Sequence, residues 1–419
     1  MKGTAATLIE HKIEPASAKP QFKGFNHLQK QRISSIDTFR GITILVMIFV
    51  NEIAGVQNIP QWMQHMPADV DGMTFVDVVF PAFLFIVGMS IPFAIHNRLS
   101  KGDGILKLQK HIIVRTLGLL VLGVFMVNAG SGNEDAMGMP VRWWTLSFYI
   151  AAILVWNTYS FKSKNLSILF RTIGAIALIY LALIYRGGDG SEYLQPRWWG
   201  ILGLIGWAYF YSCILYQLVK GSKPWLLSFI LLCVGVFVLG NNELVQHVSW
   251  LQWTAAQAGN ASHTAIALSG IILTLIFFDQ KNIISVSRRF GESFAFASLL
   301  TITGILLWPY FPISKIYATP TYALFCIAIC CIMFAFLYWL VDLKKIKEWT
   351  AFFQPAASNP LLVYIIPSII YALFGILGWY RIPPGWNTGL FGIIYFAFYA
   401  VAIMWLVRVL NYLNIRLKL

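Results

Sequence analysis

The chain has 419 residues, of which 58% are hydrophobic and only 11% charged, and its mean hydropathy is +0.68. A soluble domain carries about 25% charged residues, so a water-soluble globule is excluded and lipid must be the solvent for most of the chain. The formal charge of +14 has no basic soluble surface to occupy, which excludes a nucleic-acid binder.

Residues 1–32 carry Lys2, Lys12, Lys19, Lys23, Lys30 and Arg32 but no apolar run. They read as a flexible basic cytoplasmic tail rather than a signal peptide. A membrane span needs about 20 mostly apolar residues. Such stretches fall at about 36–57, 74–96, 110–128, 141–157, 168–185, 200–219, 225–240, 262–279, 293–309, 321–341, 360–378 and 388–411, the fourth and seventh being short. The expected fold is therefore all-α, a polytopic integral membrane helix bundle of eleven or twelve transmembrane helices. Residues 33–419 form its single transmembrane domain.

Lys and Arg placement orients the bundle. With twelve spans and both termini cytoplasmic, all but five of the 31 Lys and Arg residues fall on the cytoplasmic side. The exceptions are Arg142, Arg186, Arg197, Lys315 and Arg381. A wrong span count would scramble this division, so the positive-inside rule supports topology and orientation together.

Cys213, Cys233, Cys326, Cys330 and Cys331 all lie in predicted spans. They are odd in number and lack CxxC spacing, so they read as small buried apolar residues and no metal is expected. Several tryptophans gather at the outer side, including the pairs Trp143-Trp144 and Trp198-Trp199, each beside an arginine. Such rings suit either an interfacial aromatic belt or stacking platforms for sugar rings. On the second reading, these four are candidate substrate contacts.

Polar groups concentrate around the first two spans. Asp37 and Arg40 are three residues apart and share a helix face near the cytoplasmic end of the first span. They are either a local ion pair or a site for an anionic cytoplasmic ligand. Asn51 lies about three turns further on, near the outer end of the same span. His65 is the one histidine in the outer loop joining the first two spans. A neutral imidazole there can take a proton from an amine or hydroxyl, with Asp69, Asp71 or Asp77 to orient it. Taken singly, His96, His111, His247 and His263 read as structural.

These residues carry a resemblance. Residues 32–51 read R-I-S-S-I-D-T-F-R-G-I-T-I-L-V-M-I-F-V-N. His65 follows, and residues 71–90 read D-G-M-T-F-V-D-V-V-F-P-A-F-L-F-I-V-G-M-S. The stretch resembles the heparan-α-glucosaminide N-acetyltransferase family of transmembrane acyltransferases. Asp37, Phe39, Arg40, Gly41, Asn51, His65, Gly72, Thr74, Asp77, Phe80, Pro81, Phe83, Phe85, Ile86 and Gly88 match the family pattern. Weaker echoes around Lys315 and Asn359 place those two among the substrate-binding candidates. The loop after His65 is longer than in the family and lacks its Trp. Ile366-Pro367-Ser368 replaces a Gly-His-Glu. Both departures bear on the acceptor more than on the acyl chemistry.

The resemblance implies transfer of an acetyl group from cytosolic acetyl-CoA to an amino sugar or glycan on the extracytoplasmic side. It implies His65 as the catalytic base, assisted by Asn51. Asp77 or Asp71 would set the tautomer of His65. Arg40, with Asp37, and Arg115 beside the 98–110 loop are the candidates for the polyanionic end of CoA. The resemblance also implies a homodimer as one assembly open to the chain. The lack of a signal peptide and of a large lumenal domain leads to the expectation of a bacterial inner membrane. The rival class is a transporter or flippase for a sugar or lipid-linked glycan, which accounts for spans and outer aromatics but not for His65 and Asn51.

Overall fold

The computed structural model describes residues 33–161, 163–279, 284–383 and 385–418. The basic tail read from residues 1–32 lies outside the described residues. Among the described residues there is no β-strand, only helices, turns and isolated bridges. Twelve principal helices stand where the apolar stretches place them: α1 Ser34–Ile53, α2 Phe75–Ser100, α3 Ile105–Ala129, α4 Val141–Trp156, α5 Lys164–Ile184 and α6 Ile201–Leu218. The second half adds α7 Lys223–Gly240, α8 Gln252–Phe278, α9 Val286–Leu307, α10 Pro320–Leu337, α11 Pro360–Leu377 and α12 Gly389–Tyr412. Ten of these are long and apolar enough to cross a membrane. Of the other two, α1 carries Asp37, Arg40 and Glu52, and α4 has 16 residues. The chain is a polytopic membrane helix bundle.

Helix starts follow local chemistry. Proline opens α10 and α11 and is the second residue of α7, positions where a missing N–H costs nothing. Gly378, at φ 68°, ends α11 in the left-handed region that favours glycine. Some helices outrun their apolar stretch. Helix α8 begins at Gln252, ten residues ahead of its hydrophobic window, because the polar segment 252–261 is rich in helix-forming Ala and Gln. Hydropathy marks the part of a helix that lies in lipid; backbone hydrogen bonding carries it into the interface.

Helix α8 is the hub: its most apolar window is wholly buried, against 17% for the peripheral α5. Lipid tails are as apolar as Leu, so helices in a bilayer associate through close packing and interhelical hydrogen bonds. The α2–α8 contact uses both. A Cβ on Gly88 would stand 1.9 Å from the Ala267 carbonyl oxygen, and one on Gly270 would stand 2.0 Å from that of Phe85. The two backbones therefore touch, and Thr274 Oγ1 donates to the Met89 carbonyl at 3.0 Å. The α3–α6 pair repeats the device at Gly123, whose added Cβ would meet the Gly203 nitrogen at 2.7 Å. The α4–α5 pair does so at Gly174, opposite the Ala151 carbonyl. All five cysteines are buried, as their placement in spans predicts.

The α2–α8 contact yields a prediction. Gly88→Val and Gly270→Val each force the two backbones apart, an overpacking cost of about 1–3 kcal/mol or more. Detergent-purified variants should lose the single gel-filtration peak of the wild type. A wild-type profile for either would refute the contact.

Candidate functional site

The site is built around the N-terminus of α2. Thr74 is the N-cap and Asp77 the third helical residue, and together they form a capping box. Asp77 Oδ2 accepts from the Thr74 and Met66 backbone nitrogens at 3.1 and 3.3 Å. Thr74 Oγ1 donates to the Gln64 carbonyl at 2.9 Å, which folds the loop over the helix end. Asp77 is fully buried. The helix dipole and these donors favour its charged form.

The second oxygen of this carboxylate holds the histidine. His65 Nδ1 lies 2.7 Å from Asp77 Oδ1. A carboxylate can only accept, so Nδ1 carries the proton and Nε2 keeps its lone pair. That is the tautomer a general base needs. Lys315, from the loop between α9 and α10, completes the cluster. Its Nζ is 3.7 Å from Asp77 Oδ1, 2.9 Å from His65 Nδ1 and 3.3 Å from His65 Nε2. Only Nε2 has a lone pair free for the ammonium. Burial lowers the Lys315 pKa from its ordinary value, and the charge of Asp77 opposes that shift. Tyr322 OH donates to the Asp77 backbone carbonyl at 2.7 Å and ties α10 to α2 beneath the cluster.

A cavity of about 490 Å³ opens beside the cluster, lined in part by Asn51, His65, Trp199, His263, Lys315 and Tyr322. A second cavity of about 370 Å³ lies toward the basic end of the bundle, with His111, Arg115, Tyr209, Ser358 and Lys418 in its wall. Met47 and Ile201 line both. The two cavities are thus neighbours, with that pair of side chains in the wall of each.

Several expected site residues are brought together: His65, Asn51, Asp77, Lys315 and Trp199. Arg115 lines the basic-end cavity, its guanidinium 4.7 Å from the Tyr209 ring centre. Others are placed elsewhere. Asp71 does not orient His65; it accepts from Trp308 Nε1 at 2.8 Å and from the Ile313 nitrogen at 2.7 Å, and so clamps two outer loops. Trp144 is no sugar platform. It is fully buried, stacks on Phe125 and donates to the Leu181 carbonyl at 2.9 Å. Trp143 is half exposed and outside both cavities, and Trp198 packs edge-on against Trp207.

Asn359 lies at the basic end, away from His65. Its amide donates to Asn411 Oδ1 and the Ile415 carbonyl and accepts from the Leu417 nitrogen, pinning the C-terminal segment. Arg40 and Asp37 form an ion pair at 3.0 Å. Arg40 also donates to Ser90 Oγ at 2.7 Å and to the Ala357 carbonyl at 3.3 Å. These bonds bind α1 to α2 and to the turn before α11, and neither residue lines either of these two cavities.

Sequence reasoning missed His263. It is 6% exposed and lines the His65 cavity. The available signal was a histidine inside an otherwise apolar span, costly unless used. The Thr-x-x-Asp capping box was also visible in the sequence, and it singles out Asp77 from Asp69 and Asp71.

A polytopic bundle with a buried carboxylate, an oriented histidine and a lysine beside one of two neighbouring cavities is the class these features define. The chain belongs to the family described as "Domain of unknown function (DUF5009)", which matches residues 32–261, more than half of it. Among curated proteins it is similar to the heparan-alpha-glucosaminide N-acetyltransferase of Mus musculus, 25% identical over 375 residues, 80% of this chain and 53% of that protein. The heparan-alpha-glucosaminide N-acetyltransferase of Homo sapiens is 36% identical over 129 residues, 29% of this chain and 19% of that protein. The resemblance seen in the first two spans thus extends along most of the chain, while the chain spans about half the length of the mouse relative.

Asp77→Ala removes a helix cap, about 1 kcal/mol, and orphans buried backbone N–H groups, about 1–3 kcal/mol more. Thermal unfolding in detergent should show it clearly less stable than Asp69→Ala, whose carboxylate plays no part in the cap. Equal melting temperatures would contradict this account of the loop.

Proposed function

We propose that the chain is a membrane acetyltransferase that moves an acetyl group from acetyl-CoA, entering at the basic end, to an amino sugar or related glycan at the His65 end. The observation that carries the reading is the His65–Asp77 pair beside one cavity, with Arg115 and Lys418 lining a neighbouring cavity toward the basic end. The similarity to named acetyltransferases supports the same reading.

In this mechanism acetyl-CoA is a substrate. Its anionic nucleotide end meets Arg115 and Lys418, and its thin pantetheine arm passes Met47 and Ile201 toward His65. The acceptor enters the larger cavity, with Trp199 as a platform for its ring. The acceptor amine, neutral when it reacts, displaces Lys315 from His65 Nε2. As its nitrogen attacks the thioester carbon, Nε2 takes the proton. Asp77 holds the ring and balances the imidazolium charge. Lys315 and Asn51 donate to the developing oxyanion. Collapse of the tetrahedral intermediate breaks the C–S bond. The CoA thiolate leaves and takes up the proton held on His65. Holding donor and acceptor together supplies the proximity that an intermolecular reaction lacks. The outer location of the acceptor follows from the charge bias of the loops. A bacterial cytoplasmic membrane is part of this proposal.

The test is acetyl transfer from radiolabelled acetyl-CoA to a panel of amino sugars by purified protein. His65→Ala should lose about 10²–10⁴ in rate, the worth of a general base, while still being stabilised thermally by CoA. Arg115→Glu should lose that stabilisation instead. Wild-type turnover by His65→Ala would rule out the mechanism. Lack of any CoA-dependent stabilisation in the wild type would favour transport over transfer.

A further inference from the structure

A third cavity, about 350 Å³, lies on the other side of α1 from His65. Asn51 and Glu52 are neighbours at the outer end of α1, yet Asn51 lines the His65 chamber and Glu52 lines this separate cleft. Its walls are stripes of α4 and α11 at helical spacing. Arg142, Thr145 and Tyr149 face Ser368, Tyr371 and Ala372, and Arg381 closes the end. The proposed mechanism uses none of these residues.

The cleft has an excess of positive charge. Arg381 is paired with buried Glu52 and lies 5.4 Å from the Tyr371 ring centre. Arg142 has no carboxylate partner among the described residues; its Nη1 donates to the neutral Gly375 carbonyl at 2.6 Å. That placement is built into α11. A Cβ at position 375 would stand 2.5 Å from Arg142 Cδ and 2.6 Å from Nε, so only glycine leaves the guanidinium its track. A guanidinium so held keeps further N–H donors in a fork that matches an oxyanion.

The setting selects the source of that oxyanion. Arg142 is the second residue of α4 and Arg381 sits in the loop before α12, so both lie at span ends, where headgroups lie. Beside the cleft, the outer surfaces of both helices are apolar and exposed, at Ile150, Leu373 and Leu377, and Trp143 is half exposed next to Arg142. A water-borne anion would meet a polar rim; this rim suits lipid chains and an interfacial aromatic. We propose that this cleft binds the phosphate of a glycerophospholipid in the leaflet at the His65 end, with Arg142 as the phosphate ligand and the acyl chains lying over α4 and α11. The proposal rests on the bundle and its charges, not on acetyl transfer.

The experiment is native mass spectrometry of the full chain in detergent, with added phosphatidylglycerol, phosphatidylethanolamine, diacylglycerol or inorganic phosphate. Wild type should retain the two phospholipids. Arg142→Gln should retain about tenfold less, the worth of one charge-assisted contact. Gly375→Val, which keeps the charge but blocks its track, should lose retention similarly. His65→Ala should bind as wild type does, which separates this site from the catalytic reading. Gel filtration and helical circular dichroism report that each variant is folded. Equal retention by folded Arg142→Gln would overturn the proposal. So would retention of diacylglycerol equal to that of phospholipid, or binding of inorganic phosphate in place of phospholipid.

Discussion

The direct contact of α2 and α8, made through Gly88 and Gly270, is the constraint on which the site depends. In lipid there is little hydrophobic drive between helices, so position is set by how closely backbones can approach. With no side chain between them, α2 and α8 are locked in register, and Thr274 adds a hydrogen bond across the seam. Helix α2 presents Thr74 and Asp77 at its N-terminus, and α8 presents His263. Their fixed approach puts the carboxylate that orients His65 and a second buried imidazole beside one chamber.

Asp77 does two jobs with its two oxygens. One caps α2, where the unsatisfied N–H groups of a helix start need an acceptor. The other holds His65. The charge required by the helix end thus also sets the histidine tautomer. This coupling keeps a loop histidine oriented although the histidine itself is one-third exposed. Lys315 gives the buried carboxylate a counter-charge, which a charge in such a place requires.

The two cavities share Met47 and Ile201 in their walls. Each half keeps the character of its end: arginine and lysine at the basic end, a wider chamber with Trp199 at the other. Arg40 and Asp37, read from sequence as a ligand site, instead brace the basic end by tying α1 to α2 and to the turn before α11. A motif residue at a helix crossing can serve the packing of the site without touching it.

The sequence by itself determined the class of fold and the span positions. Twenty-residue apolar runs in lipid have one way to satisfy their backbone, and Lys and Arg placement orders them. It also determined His65 and Asn51 as candidates. Only the tertiary structure showed that Asp77 reaches His65 while Asp71 turns to the loop before α10. It moved Trp144 into the core, because adjacency in sequence does not say which face of a helix is buried. It brought Lys315 across about 250 residues of chain to His65 and His263 into the same chamber. Such meetings depend on how helices pack, and packing is set by small residues whose partners lie far away in the sequence.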